Sequence, residues 1–106
     1  MSDLYILGPD GEPVREHDVV AWGEWFEANR SARRIAHDFV ANARVSTVFL
    51  GLDHSYFPDE KPLLFETMVF CPGCDLDQEM ERYSTRAEAL VGHRRILERV
   101  REAVGN

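Results

Sequence analysis

The sequence predicts an α+β fold: a mostly antiparallel sheet of about four to five strands with two helices packed on one face. Three observations lead there. Residues 45–70, VSTVFLGLDHSYFPDEKPLLFETMVF, form the most apolar and β-prone stretch. Two runs rich in Val, Phe, Leu and Thr flank a polar connection containing Pro58 and Pro62, the pattern of a hairpin with a long loop. Residues 19–29 and 86–103 instead place their apolar side chains at helical spacing.

Each element has its own signal. Leu4–Leu7 is a short β-prone run, Gly8-Pro9-Asp10-Gly11 is a dense turn signal, and Glu12-Pro13-Val14 returns as an edge strand where Pro13 costs no ladder bond. Asp18 is placed to cap a helix from Val19 to about Arg30, with Val19, Trp22, Trp25, Phe26 and Asn29 on one face and its tryptophans serving the core. Arg33–Ala41 reads as a strand with Ile35, His37, Phe39 and Ala41 on one face and Ala36, Asp38 and Val40 on the other. A tight turn over Ala41–Arg44 follows, with Asn42 the residue expected at positive φ.

The hairpin strands, Val45–Asp53 and Leu63–Phe70, are apolar on both faces. A strand of that kind is covered on both sides. Helices can cover one side, and a loop, a ligand or a second subunit must cover the other, so a homo-oligomer is expected. Residues 71–78 form a loop and Glu79–Tyr83 a last strand. Thr85-Arg86-Ala87-Glu88 has the capping-box form and opens a helix over Arg86–Ala103, with Leu90, His93, Leu97, Val100 and Val104 on its apolar face and Gly105 ending it.

At 106 residues with 44% apolar content, the chain suits one domain spanning residues 1–106. It has no apolar run near the ~20 residues of a membrane span. The start, MSDLYILGPDG, lacks the basic region and long apolar segment of a secretory signal, so a cytoplasmic location is expected. A net charge of −7 argues against a general grip on nucleic acid, which works by neutralising phosphates. Cys71-Pro72-Gly73-Cys74 is one half of a zinc knuckle without a second pair at characteristic spacing. The leading reading is therefore two free thiols in a tight loop and no cofactor, with zinc on Cys71 and Cys74 the alternative.

The residues able to carry binding or chemistry are Asp53, His54, Glu66, Arg82, Tyr83 and His93. His93 interrupts an apolar helical face, as a core histidine or as an acid, base or ligand in a shallow pocket. Glu66 interrupts an apolar strand and needs a partner, for which Arg82 and His93 are candidates. Asp53-His54 ends a strand: Asp53 suits an Asx turn, and the dyad also suits acid–base or metal chemistry. If Glu66, Arg82, Tyr83 and His93 converge under the last helix, they line a pocket for a polar ligand. The chain lacks a P-loop, G-x-G-x-x-G and G-x-S-x-G.

VSTVFLGLDH, PLLFETMVF, RYST and a helix containing GH, together with AWGEWFEAN, resemble small proteins encoded by bacteriophages and prophages, over roughly Trp22 to His93. The resemblance implies a viral accessory role in the host cytoplasm and no particular mechanism. The chain departs from that pattern at Cys71–Cys74, where a glycine-rich turn is expected, which counts against an essential zinc. The expected function is a binding module for a host protein or a small polar ligand. The alternatives are a small hydrolase using His93 or His54 as base, and a structural protein of the virion.

Overall fold

The computed structural model describes residues 3–57 and 59–105; Pro58 of the hairpin connection lies outside them. Within these residues the order is β1 (Tyr5–Leu7), β2 (Pro13–Arg15), α1 (Val19–Ala28), α2 (Arg30–Arg33), β3 (Arg34–Val40), β4 (Ala43–Phe49), β5 (Phe65–Phe70), β6 (Met80–Tyr83) and α3 (Arg86–Ala103). The fold is α+β. β3 to β6 form an antiparallel meander in chain order, and β1 and β2 pair in a separate two-stranded hairpin.

α3 crosses one face of the meander and buries Ala89, Gly92, His93, Ile96, Leu97 and Val100 against it. The Thr85–Glu88 capping box forms as the sequence predicts, and Gly105 takes the left-handed conformation just beyond the end (φ 84°). The core has two parts. Val40, Ala43, Val45, Val69, Cys71, Ile96, Leu97 and Val100 fill one end, and Leu7, Phe49, Leu64, Phe65, Tyr83 and Ala89 fill the other.

α3 covers most of the sheet face, and α1 reaches one end of it through Trp25, which packs on Phe49. Most of α1 docks on the N-terminal hairpin and the end of β4. The Trp22 indole Nε1 donates to the carbonyls of Tyr5 and Gly51 at 3.0 and 3.1 Å, and Trp25 meets Phe49 edge-on at 5.9 Å. Val19 is exposed rather than packed. The same docking ends β4 early. Gly51 has φ 75°, and a Cβ there would lie 3.0 Å from the Phe26 ring, so the chain turns at a residue with no side chain to clash. The strand expected to reach Asp53 therefore stops at Phe49.

The β3–β4 turn also differs from expectation. Ala41 takes the positive φ, 54°, and Asn42 does not. Val40 pairs with Ala43, leaving a two-residue loop whose first residue must take the left-handed conformation.

Candidate functional site

Strand register sorts the candidate residues onto the two faces of the meander. Thr47 pairs with Thr67, and Thr67 with Glu81; one step along, Val48 pairs with Glu66, and Glu66 with Arg82. Neighbouring residues of a strand point to opposite faces. The Thr47–Thr67 row therefore lies under α3, and the Val48–Glu66–Arg82 row lies on the uncovered side.

Under α3 the polar residues form one continuous chain. Tyr83 Oη donates to Thr67 Oγ1 at 3.1 Å. Thr67 Oγ1 lies 2.5 Å from Thr47 Oγ1, which lies 2.7 Å from His93 Nδ1. His93 Nε2 lies 2.7 Å from Asp38 Oδ2. With each hydroxyl donating once, the chain runs in one direction. Tyr83 supplies a hydrogen to Thr67, Thr67 passes its own to Thr47, and Thr47 passes its own to Nδ1. The imidazole proton then sits on Nε2 and is donated to the Asp38 carboxylate. Every hydroxyl is used once, which satisfies these polar groups inside the core. Burial pushes the Tyr83 hydroxyl up to about 12, with the hydrogen bond to Thr67 opposing and Glu81 reinforcing the rise, so it remains a donor.

Asp38, His93 and Thr47 stand in the contact order of a hydrolytic triad. Access is lacking: His93 is 3% exposed and Thr47 is 0% exposed, so neither presents an atom to a substrate. In this conformation the arrangement is a buried relay with one end at the surface, where the Asp38 side chain is 49% exposed.

The uncovered face carries three in-register rows. Phe39, Arg44 and Phe70 form the first, and His37, Ser46, Met68 and Met80 the second. Arg34, Val48, Glu66 and Arg82 form the third. Phe39 is 70% exposed. The Arg44 guanidinium lies 4.1 Å over the Phe70 ring, and the His37 and Phe39 rings are 5.1 Å apart. Arg82 Nε donates to Glu66 Oε2 at 3.0 Å. Arg34 and Arg44 have no carboxylate within salt-bridge distance among the described residues. Among the described residues, His37 Nε2 is buried with no hydrogen-bond partner. Burial holds the His37 imidazole below its ordinary value, with Arg34 and Arg44 adding to the effect.

The single pocket expected from Glu66, Arg82, Tyr83 and His93 is therefore two separate groups. Glu66 and Arg82 pair on the open face, and Tyr83 and His93 join the buried chain. The reason is the two-residue period of β5, which turns Glu66 and Thr67 to opposite sides. Asp53 and His54 lie in the loop after β4. Asp53 Oδ1 accepts from the amides of Ser55 and Leu63 at 2.8 and 3.0 Å, the Asx-turn role the sequence suggests. Burial raises the Asp53 carboxyl, but the Ser55 and Leu63 hydrogen bonds and the His54 charge outweigh it and hold the group below its usual value. The His54 amide donates to the Leu63 carbonyl at 3.1 Å.

Cys71 and Cys74 are joined as a disulfide, which corrects the expectation of free thiols. The turn brings their Cα atoms to 5.6 Å, inside the range a disulfide spans. Joined in this way, the sulfurs are not thiolate ligands for zinc. No group of three or more His, Cys, Asp or Glu side chains able to hold a metal occurs among the described residues.

Thr47, Thr67 and Asp38 are members of the buried chain that sequence reasoning passed over. The available signal was a threonine at the same inward parity in each of two apolar strands, which a correct register sets face to face. His37, Phe39 and Arg44 became visible as a group only once β3, β4 and β5 were aligned. Comparison of the chain with protein-family models, curated proteins and solved structures finds no match.

Proposed function

We propose that this chain is a small phage-type accessory protein that works as a binding module, and that its binding surface is the uncovered face of the meander. The ligand is slim and carries negative charge. One observation carries the reading. Arg34, Arg44 and Arg82 share that face with a single carboxylate, Glu66, which Arg82 already holds, while the chain as a whole bears −7.

Size supports a slim ligand over a globular partner or a second copy. Four strands of about six residues span roughly 20 Å by 20 Å, about 400 Å². A stable protein complex needs about 800 Å² from each partner. On this face Val48 and Met68 are half-buried, and Phe39, Phe70 and Met80 are exposed.

The buried His93 chain fits a structural role better than a hydrolase, because none of its interior members reaches solvent. The test is amide chemical-shift mapping with small anionic probes, inorganic phosphate and citrate, on wild type and Arg44→Ala. Shifts confined to the open-face strands and lost in Arg44→Ala are expected. Shifts mapping to α3, or none at millimolar probe, overturn the assignment.

A further inference from the structure

We infer that the open sheet face seats a single-stranded nucleic acid, with Phe39 and Phe70 as stacking platforms and the Arg34–His37–Arg44 cluster as the phosphate seat. The inference rests on the binding face proposed above and names what occupies it.

Three features converge on this ligand class. The first is the stacking row. Phe39, Arg44 and Phe70 are directly in register across three strands, so the backbones of the two phenylalanines are about 10 Å apart, with Arg44 between them in the row and its guanidinium over the Phe70 ring. Phe39 is open to solvent and Arg44 already stacks on Phe70, so the row presents flat π surfaces and a planar cation. Bases of any sequence stack on such groups. Aromatics displayed on a four-stranded sheet are also a general means of holding single-stranded RNA.

The second is the orphaned nitrogen. His37 Nε2 is buried and unpartnered on a face where Arg34 and Arg44 also lack carboxylates. An anion oxygen entering beside it would take a hydrogen bond from the imidazole, with the Arg34 and Arg44 charges of the same face drawing it in. A phosphodiester offers such oxygens next to a base.

The third is the charge distribution. Whole-chain acidity argues against a protein that grips long nucleic acid by charge alone. It does not argue against a short site whose own arginines outnumber its carboxylates. The acidic remainder repels the strand beyond the face, so contact is confined to a few nucleotides. With about two phosphates neutralised, log K should fall with log salt with a slope of about −1.4, far shallower than for a dedicated nucleic-acid protein. An acidic peptide would satisfy the cations but would leave the open Phe39 ring without a flat partner.

The experiment titrates the intact protein with fluorescein-labelled (dT)10, with U10, and with a ten-residue poly-glutamate peptide, read by anisotropy and amide shift mapping at low salt. Wild type is compared with Phe39→Ala and Arg44→Ala. Phe39 is exposed, so its truncation leaves the fold intact, which far-UV circular dichroism verifies. The expected result is saturable oligonucleotide binding mapped to β3, β4 and β5, weakened about ten-fold or more by Phe39→Ala. Arg44→Ala should lower both the affinity and the salt slope.

Peptide shifts on this face without oligonucleotide shifts overturn the nucleic-acid inference and leave the binding face standing. Shifts from neither ligand overturn both. Oligonucleotide binding indifferent to Phe39→Ala overturns the stacking assignment and with it the inference. Free thymidine monophosphate binding as tightly as (dT)10 overturns the strand as ligand.

Discussion

Gly92 of α3 lies directly beneath the ring of Tyr83, so close that a methyl on its Cα would overlap Cε1, Cζ and Oη of the tyrosine. The contact sets how deeply β6 and α3 approach and aims the Tyr83 hydroxyl at Thr67. In an ordinary helix interior, Gly→Ala gains about 1 kcal/mol from propensity. Here the added methyl must displace a buried ring, a type of overpacking that costs about 1–3 kcal/mol. Gly92→Ala is expected to lose about 1–2 kcal/mol in urea unfolding, even though it removes a glycine from a helix. In a Tyr83→Leu background the same substitution should become neutral or stabilising. An equal loss there would show that the ring is not what excludes the methyl.

The second prediction concerns the proton on His93. The donor count from Tyr83 through Thr67 and Thr47 leaves Nδ1 as an acceptor and Nε2 as the donor to Asp38. Nitrogen chemical shifts of the imidazole at neutral pH should therefore report the Nε2–H tautomer. Finding Nδ1 protonated would reverse the chain. His93→Leu leaves Thr47 without its acceptor inside the core, at a cost of about 1–3 kcal/mol. Adding Thr47→Val should cost less than the sum of the two single changes, because both groups of one hydrogen bond are then removed together. Glu66→Ala, on the opposite face, should add to His93→Leu within about 0.5 kcal/mol.

Much of the fold is local and was legible for that reason. The capping box at Thr85–Glu88, the N-cap at Asp18 and the turn at Gly8–Gly11 are satisfied within a few residues of themselves. That Val45, Thr47 and Phe49 share one face follows from alternation alone; that this face is the buried one does not. The candidate site was less legible, because it depends on which face each strand turns toward the helix. Reading Glu66 and His93 as neighbours assumed that a carboxylate in an apolar strand points inward. In fact Phe65, Thr67 and Val69 point inward, and Glu66 finds Arg82 outside. The irregular register between Arg34 and Ala36 is likewise a pairing feature, and sequence alternation cannot show it. The Cys71–Cys74 bond was not legible because a C-x-x-C spacing suits two thiols, half a zinc knuckle or a disulfide alike, and the turn geometry decides among them.

Ala41 offers a test of backbone strain. Its φ of 54° lies in the left-handed region, which a side chain makes unfavourable by roughly 1–2 kcal/mol and which glycine adopts freely. Ala41 is exposed, so no packing opposes the change. Part of the gain is offset because glycine is more flexible in the unfolded chain. Ala41→Gly should therefore stabilise by about 0.5–1 kcal/mol, read as a higher urea midpoint at unchanged m-value. Asn42→Gly, at a residue without positive φ, should be neutral or destabilising. The reverse order would place the strained residue at Asn42, where the sequence alone suggested it.

Asp53 gives the chain a stability term that depends on acid. Its carboxylate holds the Ser55 and Leu63 amides and so closes the long connection between β4 and β5. The folded-state group titrates below its ordinary value, because these bonds outweigh the opposing effect of burial. The unfolded chain therefore binds a proton more readily than the folded one. The stabilisation is complete above the ordinary aspartate value of about 4 and is lost as pH falls through the lower folded value. Asp53→Ala should lose about 1–2 kcal/mol near neutral pH, for two charge-assisted bonds to backbone amides. The difference between wild type and variant should stay flat from pH 8 to pH 5 and shrink below pH 4. Asp53→Asn keeps an oxygen for the same amides and should recover part of the loss without the pH dependence. A wild type–Asp53→Ala difference that instead vanished between pH 7 and pH 6 would show that the Asp53 carboxylate is not the titrating group.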